Sequence, residues 1–194
     1  MENLVDIVRV IHIVNAILMA WPAYALVAVN HRMRLGPPLG DRVDVYLENV
    51  IRSRAVPCFV FQGTALVSGL ALLPLQGLGF DSLVTNAALG LKFLLLLLVV
   101  GSLSHVYLNL QPRIDALFAQ AQSPVPGDLV PRIVALRIRR KQMASVCMFA
   151  VLTAAVLGVQ AVRAFPLWLA VVMIVAVALF TLRAYRSTTA YGWA

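Results

Sequence analysis

The sequence predicts an all-α integral membrane bundle of five transmembrane helices. Three observations carry that expectation. Of the 194 residues, 61% are hydrophobic and only 12% are charged, and mean hydropathy is +0.88. A soluble domain has apolar residues near one half and charged residues near one quarter. The apolar residues fall in blocks close to the ~20 that a helix needs to cross a bilayer. Finally, Arg and Lys gather in alternate connecting loops, as the rule for cytoplasmic loops demands. The whole chain, 1–194, is expected to form one transmembrane domain, without a separate soluble domain.

The first span is expected over about 8–29. It is preceded by Glu2 and Asp6 beside Arg9, which is unlike the basic start of a signal peptide, so the segment is expected to be retained. The second span is expected over about 56–75. Small residues Ala65 and Gly69 lie four apart on it and form a surface for close helix packing. The third span, about 89–110, opens on Lys92 and closes past His105. The fourth, about 143–162, carries a second small pair, Ala154 and Gly158. The fifth, about 166–185, follows after only Arg163-Ala164-Phe165. That spacing predicts a tight antiparallel hairpin with Pro166 in the first turn of the last helix.

Charge sets the expected orientation. The loop between spans one and two holds Arg32, Arg34, Arg42, Arg52 and Arg54. The loop between spans three and four holds Arg113, Arg132, Arg137, Arg139, Arg140 and Lys141. The segment from Leu75 to Ala88 holds no basic residue, and the tail holds Arg183 and Arg186. The N-terminus is therefore expected outside and the C-terminus inside. Both inner loops read as partly helical. Val43, Tyr46, Leu47, Val50 and Ile51 recur at helical spacing, with Arg42, Asp44, Glu48 and Arg52 on other faces. Such a helix suits the membrane interface. Pro131, Ile133, Leu136 and the basic run suit a helix leading into span four. The net charge of +8 is explained by this topology, and nucleic acid is not an expected partner. The expected surroundings are a lipid bilayer and the other subunits of a membrane complex.

Depth organises the polar residues. Spans one and three run in the same direction, so His12 and Lys92 share the outer half of the bundle. Arg9, His12 and Asn15 lie at i, i+3 and i+6 on span one. Ionisable residues inside a span mark functional sites because burying them is costly. No acidic residue lies inside any span. His12, Lys92, Arg9 and Asn15 therefore form a candidate site for an anionic ligand: a porphyrin propionate, a lipid phosphate or a polarised quinone oxygen. The competing reading has Arg9 and Lys92 snorkelling to the outer interface. His12 and His105 are also candidate metal ligands. At 1.5 Å rise per residue their depths differ by ~20 Å, so they cannot ligate the same ion.

Toward the inner side lie Cys58, His105, Met143, Cys147 and Met148. These are soft ligands of the kind that suits Cu(I), but core packing accounts for them better. Gly101, Ser102, His105 and Asn109 suggest a polar stripe facing another helix, with His105 hydrogen-bonded across it. No nucleophile arrangement, phosphate loop or in-membrane carboxylate pair is present, and no catalytic residue is assigned.

Val10-Ile11-His12-Ile13-Val14, Leu91-Lys92-Phe93-Leu94-Leu95 and Leu110-Gln111-Pro112-Arg113 resemble the first three spans of CopD-type membrane proteins and of the similar HemJ family. The resemblance covers roughly residues 8 to 115. It implies a compact bundle in a bacterial inner membrane that handles haem, porphyrin or copper. In HemJ-like proteins a first-span His and a third-span Lys matter for a haem-dependent porphyrinogen oxidation, and His12 and Lys92 are the matching positions. Those families usually have four spans, and their later third-span His is out of register with His105. The leading expectation is therefore a protein binding haem b, a porphyrin or a similar anionic cofactor. The alternatives are a non-catalytic accessory subunit or assembly factor of a membrane complex and, behind both, copper transport involving Cys58 or Cys147.

Overall fold

The computed structural model describes residues 2–21, 39–53, 55–120, 125–162 and 165–186. Among them the ordered elements are helices and no strand occurs. α1 spans Glu2–Leu18, α2 Arg42–Ser53 and α3 Ala55–Leu75. A short turn of helix, α4, covers Ser82–Thr85 and leads into α5, Ala87–His105. A π-helical turn, Val106–Leu110, joins α5 to α6, Gln111–Gln120. α7 runs unbroken over Val130–Val162, and α8 covers Leu167–Arg186.

Four helical runs among the described residues are long and apolar enough to cross a membrane: Arg42–Leu75, Ala87–Gln120, Val130–Gln160 and Leu167–Arg186. They correspond to the second to fifth expected spans. The first expected span is helical from Glu2 to Leu18, and its residues 22–29 lie outside the described residues. The bundle is laid out as a row of neighbours. α1 packs on α3, α3 touches α5, α5 packs along α7, and α7 pairs with α8. The apolar outer faces of these helices are exposed, including Ile13, Val60, Leu94 and Val171, as lipid-facing surfaces are.

Local chemistry sets the ends of the helices. α3 stops at a Schellman motif: Leu78 N–H donates to the Leu73 carbonyl at 2.8 Å and Gly77 N–H to the Pro74 carbonyl at 3.0 Å. Gly77 takes φ of +74° there, which glycine adopts without the steric cost of a Cβ. Asn86 caps α5 by accepting from the N–H groups of Ala88 and Leu89. The α7–α8 hairpin is closed by Gln160, whose amide donates to the Phe165 carbonyl and accepts from the Phe165 N–H. Pro166 stands immediately before α8, and its carbonyl accepts from Leu169 and Ala170. The tight hairpin expected from sequence is present.

The short helix α2 has the helical form expected from sequence, and the structure shows which of its faces is buried. Its apolar residues Val43 and Tyr46 are exposed, whereas Asp44 and Glu48 are buried. The acidic side faces inward because α7 offers two guanidiniums to it. Arg137 grips Asp44 bidentately, both N–O distances being 3.1 Å, and reaches Glu48 at 3.0 Å. Arg140 pairs with both oxygens of Glu48. Gln111 completes the network, accepting from Arg140 at 2.8 Å and donating to Glu48 and Asp115, each at 3.1 Å. The Arg137 guanidinium also lies 4.9 Å from the centroid of the Phe118 ring. Glu48 lies in the charged first part of the Arg42–Leu75 run, ahead of its apolar part, Ala55–Leu75. Burial alone would raise its pKa, but Arg140, Arg137 and Gln111 outweigh that and hold it down at about 2. Asp41 caps this helix by accepting from the Asp44 N–H at 2.7 Å. Gly40 precedes it with φ of +83°, and a Cβ there would stand 2.6 Å from a Val125 methyl. This ion-paired cap marks the basic end of the bundle.

Candidate functional site

The site forms where α1 meets α3 and α5 meets α7, toward the end opposite the ion-paired cap. His12 is partly buried on α1. The helix spacing it needs comes from α3, where Gly69 presents no side chain. A Cβ at Gly69 would stand 3.2 Å from His12 Cε1. On the other side of the site, Lys92 of α5 lies against Gly158 of α7, where a Cβ would stand 3.4 Å from Nζ. Both small-residue pairs singled out in the sequence thus include a glycine that seats one of the two polar side chains.

The hydrogen bonds around His12 fix its ring. Nδ1 lies 2.9 Å from Ser68 Oγ. That hydroxyl donates its own proton to the Thr64 carbonyl at 2.6 Å, with the Ala65 carbonyl at 3.3 Å. Ser68 Oγ is therefore left as an acceptor, and Nδ1–H is the donor. In the neutral imidazole this arrangement leaves Nε2 with its lone pair. A hydrogen bond that pins one ring nitrogen and frees the other for ligation is the usual setting of a metal-ligating histidine.

Lys92 lies within electrostatic reach of His12, so the two share one level of the bundle as their sequence depth implies. Among the described residues no carboxylate pairs with Lys92; Asp6, Asp115, Asp44 and Glu48 pair with arginines instead. Arg9 pairs with Asp6 at 2.8 Å on its own helix. Asn15 is buried, but its amide donates to the Ile11 carbonyl at 2.8 Å. Of the four residues proposed from sequence, His12 and Lys92 converge, while Arg9 and Asn15 are engaged locally.

His105 lies thirteen residues beyond Lys92 on the same helix, a rise of about 20 Å, near the basic end. It is exposed and contacts Asn109 of its own chain segment at 3.5 Å. Among the described residues the expected hydrogen bond across to another helix is not made. The reason is angular: Gly101, His105 and Asn109 recur every four residues along one exposed face, whereas Ser102 alone of that group is buried. The inner soft ligands also divide. Cys58, Cys147 and Met148 line one cavity, which neither His105 nor Met143 lines. Among the described residues no cluster of three or more His, Cys, Asp or Glu side chains could hold a metal ion.

The charge count assigns Arg137 and Arg140 to topology, whereas the structure buries both as ion-pair partners. The usable signal was matched spacing: Asp44 and Glu48 at i, i+4 against Arg137 and Arg140 at i, i+3, each pair on one face of a helix. Comparison with protein families, characterised proteins and solved structures finds no match for this chain.

Proposed function

We propose that this chain is a multi-pass protein of a bacterial inner membrane that binds haem b, a porphyrin or a similarly anionic cofactor between His12 and Lys92. The observation that carries the reading is the His12–Ser68–Thr64 relay. It holds Nδ1–H as a donor and leaves Nε2 as an electron pair for a ligand. A tetrapyrrole supplies four nitrogens to its metal, so it needs only one or two axial ligands from protein. A site with a single histidine and no multi-ligand cluster around it suits such a group better than a bare ion.

The remaining roles follow from charge. Lys92 would pair a propionate carboxylate, an interaction strengthened by the low dielectric of the bundle. Gly69 and Gly158 let the two side chains lie flat against neighbouring helices. The sequence resemblance to HemJ-like proteins falls on the same two positions, His12 and Lys92, and supports the same ligand class. Orientation supports it further: five spans with the N-terminus outside put the Arg-rich loops in the cytoplasm and this site in the outer half.

The test is a reduced-minus-oxidised visible spectrum of the protein purified in mild detergent after expression with haem. A Soret shift with α and β bands is expected, abolished by His12→Ala. A flat spectrum, or bands unchanged in His12→Ala, overturns the reading and leaves an accessory subunit of a membrane complex as the better account.

A further inference from the structure

A second cavity lies toward the basic end, separate from the His12–Lys92 site. Its volume is about 130 Å³, close to that of engineered protein cavities of ~150 Å³ that take up benzene. α3, α5, the π-helical turn and α7 form its walls, with Met19 and Ala20 after α1 closing one side. The walls are mostly apolar: Val99, Leu103, Met148 and Val151 among them. Its basic end carries Arg140 and Gln111, which are already engaged with Glu48.

Among the described residues, one polar group in this cavity has no partner. Gln62 is only 5% exposed, lines the cavity, and its Oε1 has no hydrogen-bond partner. An orphaned buried acceptor is unfavourable, and in lipid no bulk water reaches it. The π turn over Val106–Leu110 brings Tyr107 to the wall, where it meets Phe59 edge-on at 5.8 Å between ring centroids. Such turns recur beside ligand sites.

We propose that this cavity binds a ring-sized apolar molecule bearing a hydroxyl, of the phenol or hydroquinone class, whose O–H donates to Gln62 Oε1. Size selects a single six-membered ring. The walls select an apolar body. The lone acceptor selects a donor, so the same ring without a hydroxyl leaves Oε1 orphaned. Two sources present this chemistry: the head group of a membrane hydroquinone with an isoprenoid tail, or a free phenol partitioned into the bilayer.

The experiment uses the full chain in nanodiscs and two probes, 4-fluorophenol and fluorobenzene, followed by fluorine NMR line broadening. 4-Fluorophenol is expected to bind about tenfold or more tightly than fluorobenzene. Gln62→Leu is expected to erase that preference while keeping fluorobenzene binding. Ala144→Phe, which fills the cavity, is expected to abolish both. Equal binding of the two probes, or a preference that survives in Gln62→Leu, overturns the proposal. Because the wild-type comparison needs no variant, a folding failure of Gln62→Leu leaves the proposal exposed to refutation. Displacement of 4-fluorophenol by a diprenyl hydroquinone but not by trimethylhydroquinone assigns the membrane lipid as the source. Equal displacement by both assigns a free phenol, and displacement by neither refutes the site. The His12 variant is expected to retain all of this binding, so the two sites fail independently.

Discussion

Arg137 and Asp44, 93 residues apart in sequence, are joined by two parallel hydrogen bonds of 3.1 Å. Both side chains are almost wholly removed from solvent. The pair ties α2 to α7 at the basic end of the bundle, and Glu48, Arg140 and Gln111 extend it. A bidentate guanidinium–carboxylate pair has directional bonds as well as opposite charge. That directionality fixes which face of α2 turns inward.

Removing one partner should therefore harm the fold far more than removing both. Arg137→Met takes the bidentate guanidinium from the buried Asp44, at a cost of about 3–5 kcal/mol. The double variant Arg137→Met/Asp44→Leu removes the buried carboxylate as well and is expected to recover most of the loss, since apolar replacement of a buried pair is often neutral. Thermal unfolding in detergent, followed by helical circular dichroism, checks both. A double variant as unstable as the single one would show that the pair itself, and not the remaining carboxylate, carries the effect.

Glu48 makes the same cap sensitive to acid. Its pKa is held at about 2, against an ordinary 4.5, by Arg140 and Arg137, which override the opposing effect of burial. A carboxylate depressed on folding stabilises the fold above its unfolded pKa, and that stabilisation is lost as pH falls through the folded value. Melting temperature is expected to decline between about pH 4.5 and pH 2. Glu48→Gln should melt lower at neutral pH and show a flatter decline through this window. An identical pH profile in that variant would assign the acid sensitivity elsewhere.

Much of this architecture is legible in the sequence, and the limits are physical. Apolar blocks locate Ala55–Leu75 and Leu167–Arg186 closely, because span length is set by bilayer thickness. The level of His12 and Lys92 follows from counting residues at a fixed rise. What counting cannot give is the direction in which each side chain points. His105 and Ser102 are three residues apart, yet one is exposed and the other buried. α2 shows the same limit. Its periodicity reveals an amphipathic helix, but only the facing guanidiniums of α7 decide that the acidic side turns inward. The orphaned Gln62 acceptor had no sequence signature, since it depends on what fails to surround it.

The Ser68 hydroxyl offers a test of the His12 relay that leaves the ligand nitrogen in place. Ser68→Ala removes the acceptor 2.9 Å from Nδ1 but keeps the small volume that α1 needs. The ring loses its main constraint on tautomer and orientation. Cofactor affinity is expected to fall about 10–100-fold, the usual effect of losing the hydrogen-bond partner of a ligating histidine, with the melting temperature of the ligand-free protein nearly unchanged. Spectrophotometric haem titration of the two proteins measures the ratio. Equal affinities would remove the relay from the site.

Lys92 separates a binding role from a snorkelling one by the sign of a stability change. Its ammonium is partly buried against Gly158, beside His12 and without a carboxylate partner among the described residues. A cation held in that setting without its ligand destabilises the bundle, because it has given up hydration without gaining an anion. Lys92→Met keeps the length of the side chain and removes the charge. The ligand-free variant is expected to be more stable by about 0.5–2 kcal/mol, the scale on which function-bearing strain is commonly relieved, while its affinity for an anionic porphyrin falls. A lysine that merely snorkels to lipid headgroups predicts the opposite pattern: a neutral or destabilising Met substitution and no change in porphyrin binding. Paired melting and titration measurements on one variant therefore distinguish a site held ready for an anion from an interfacial anchor.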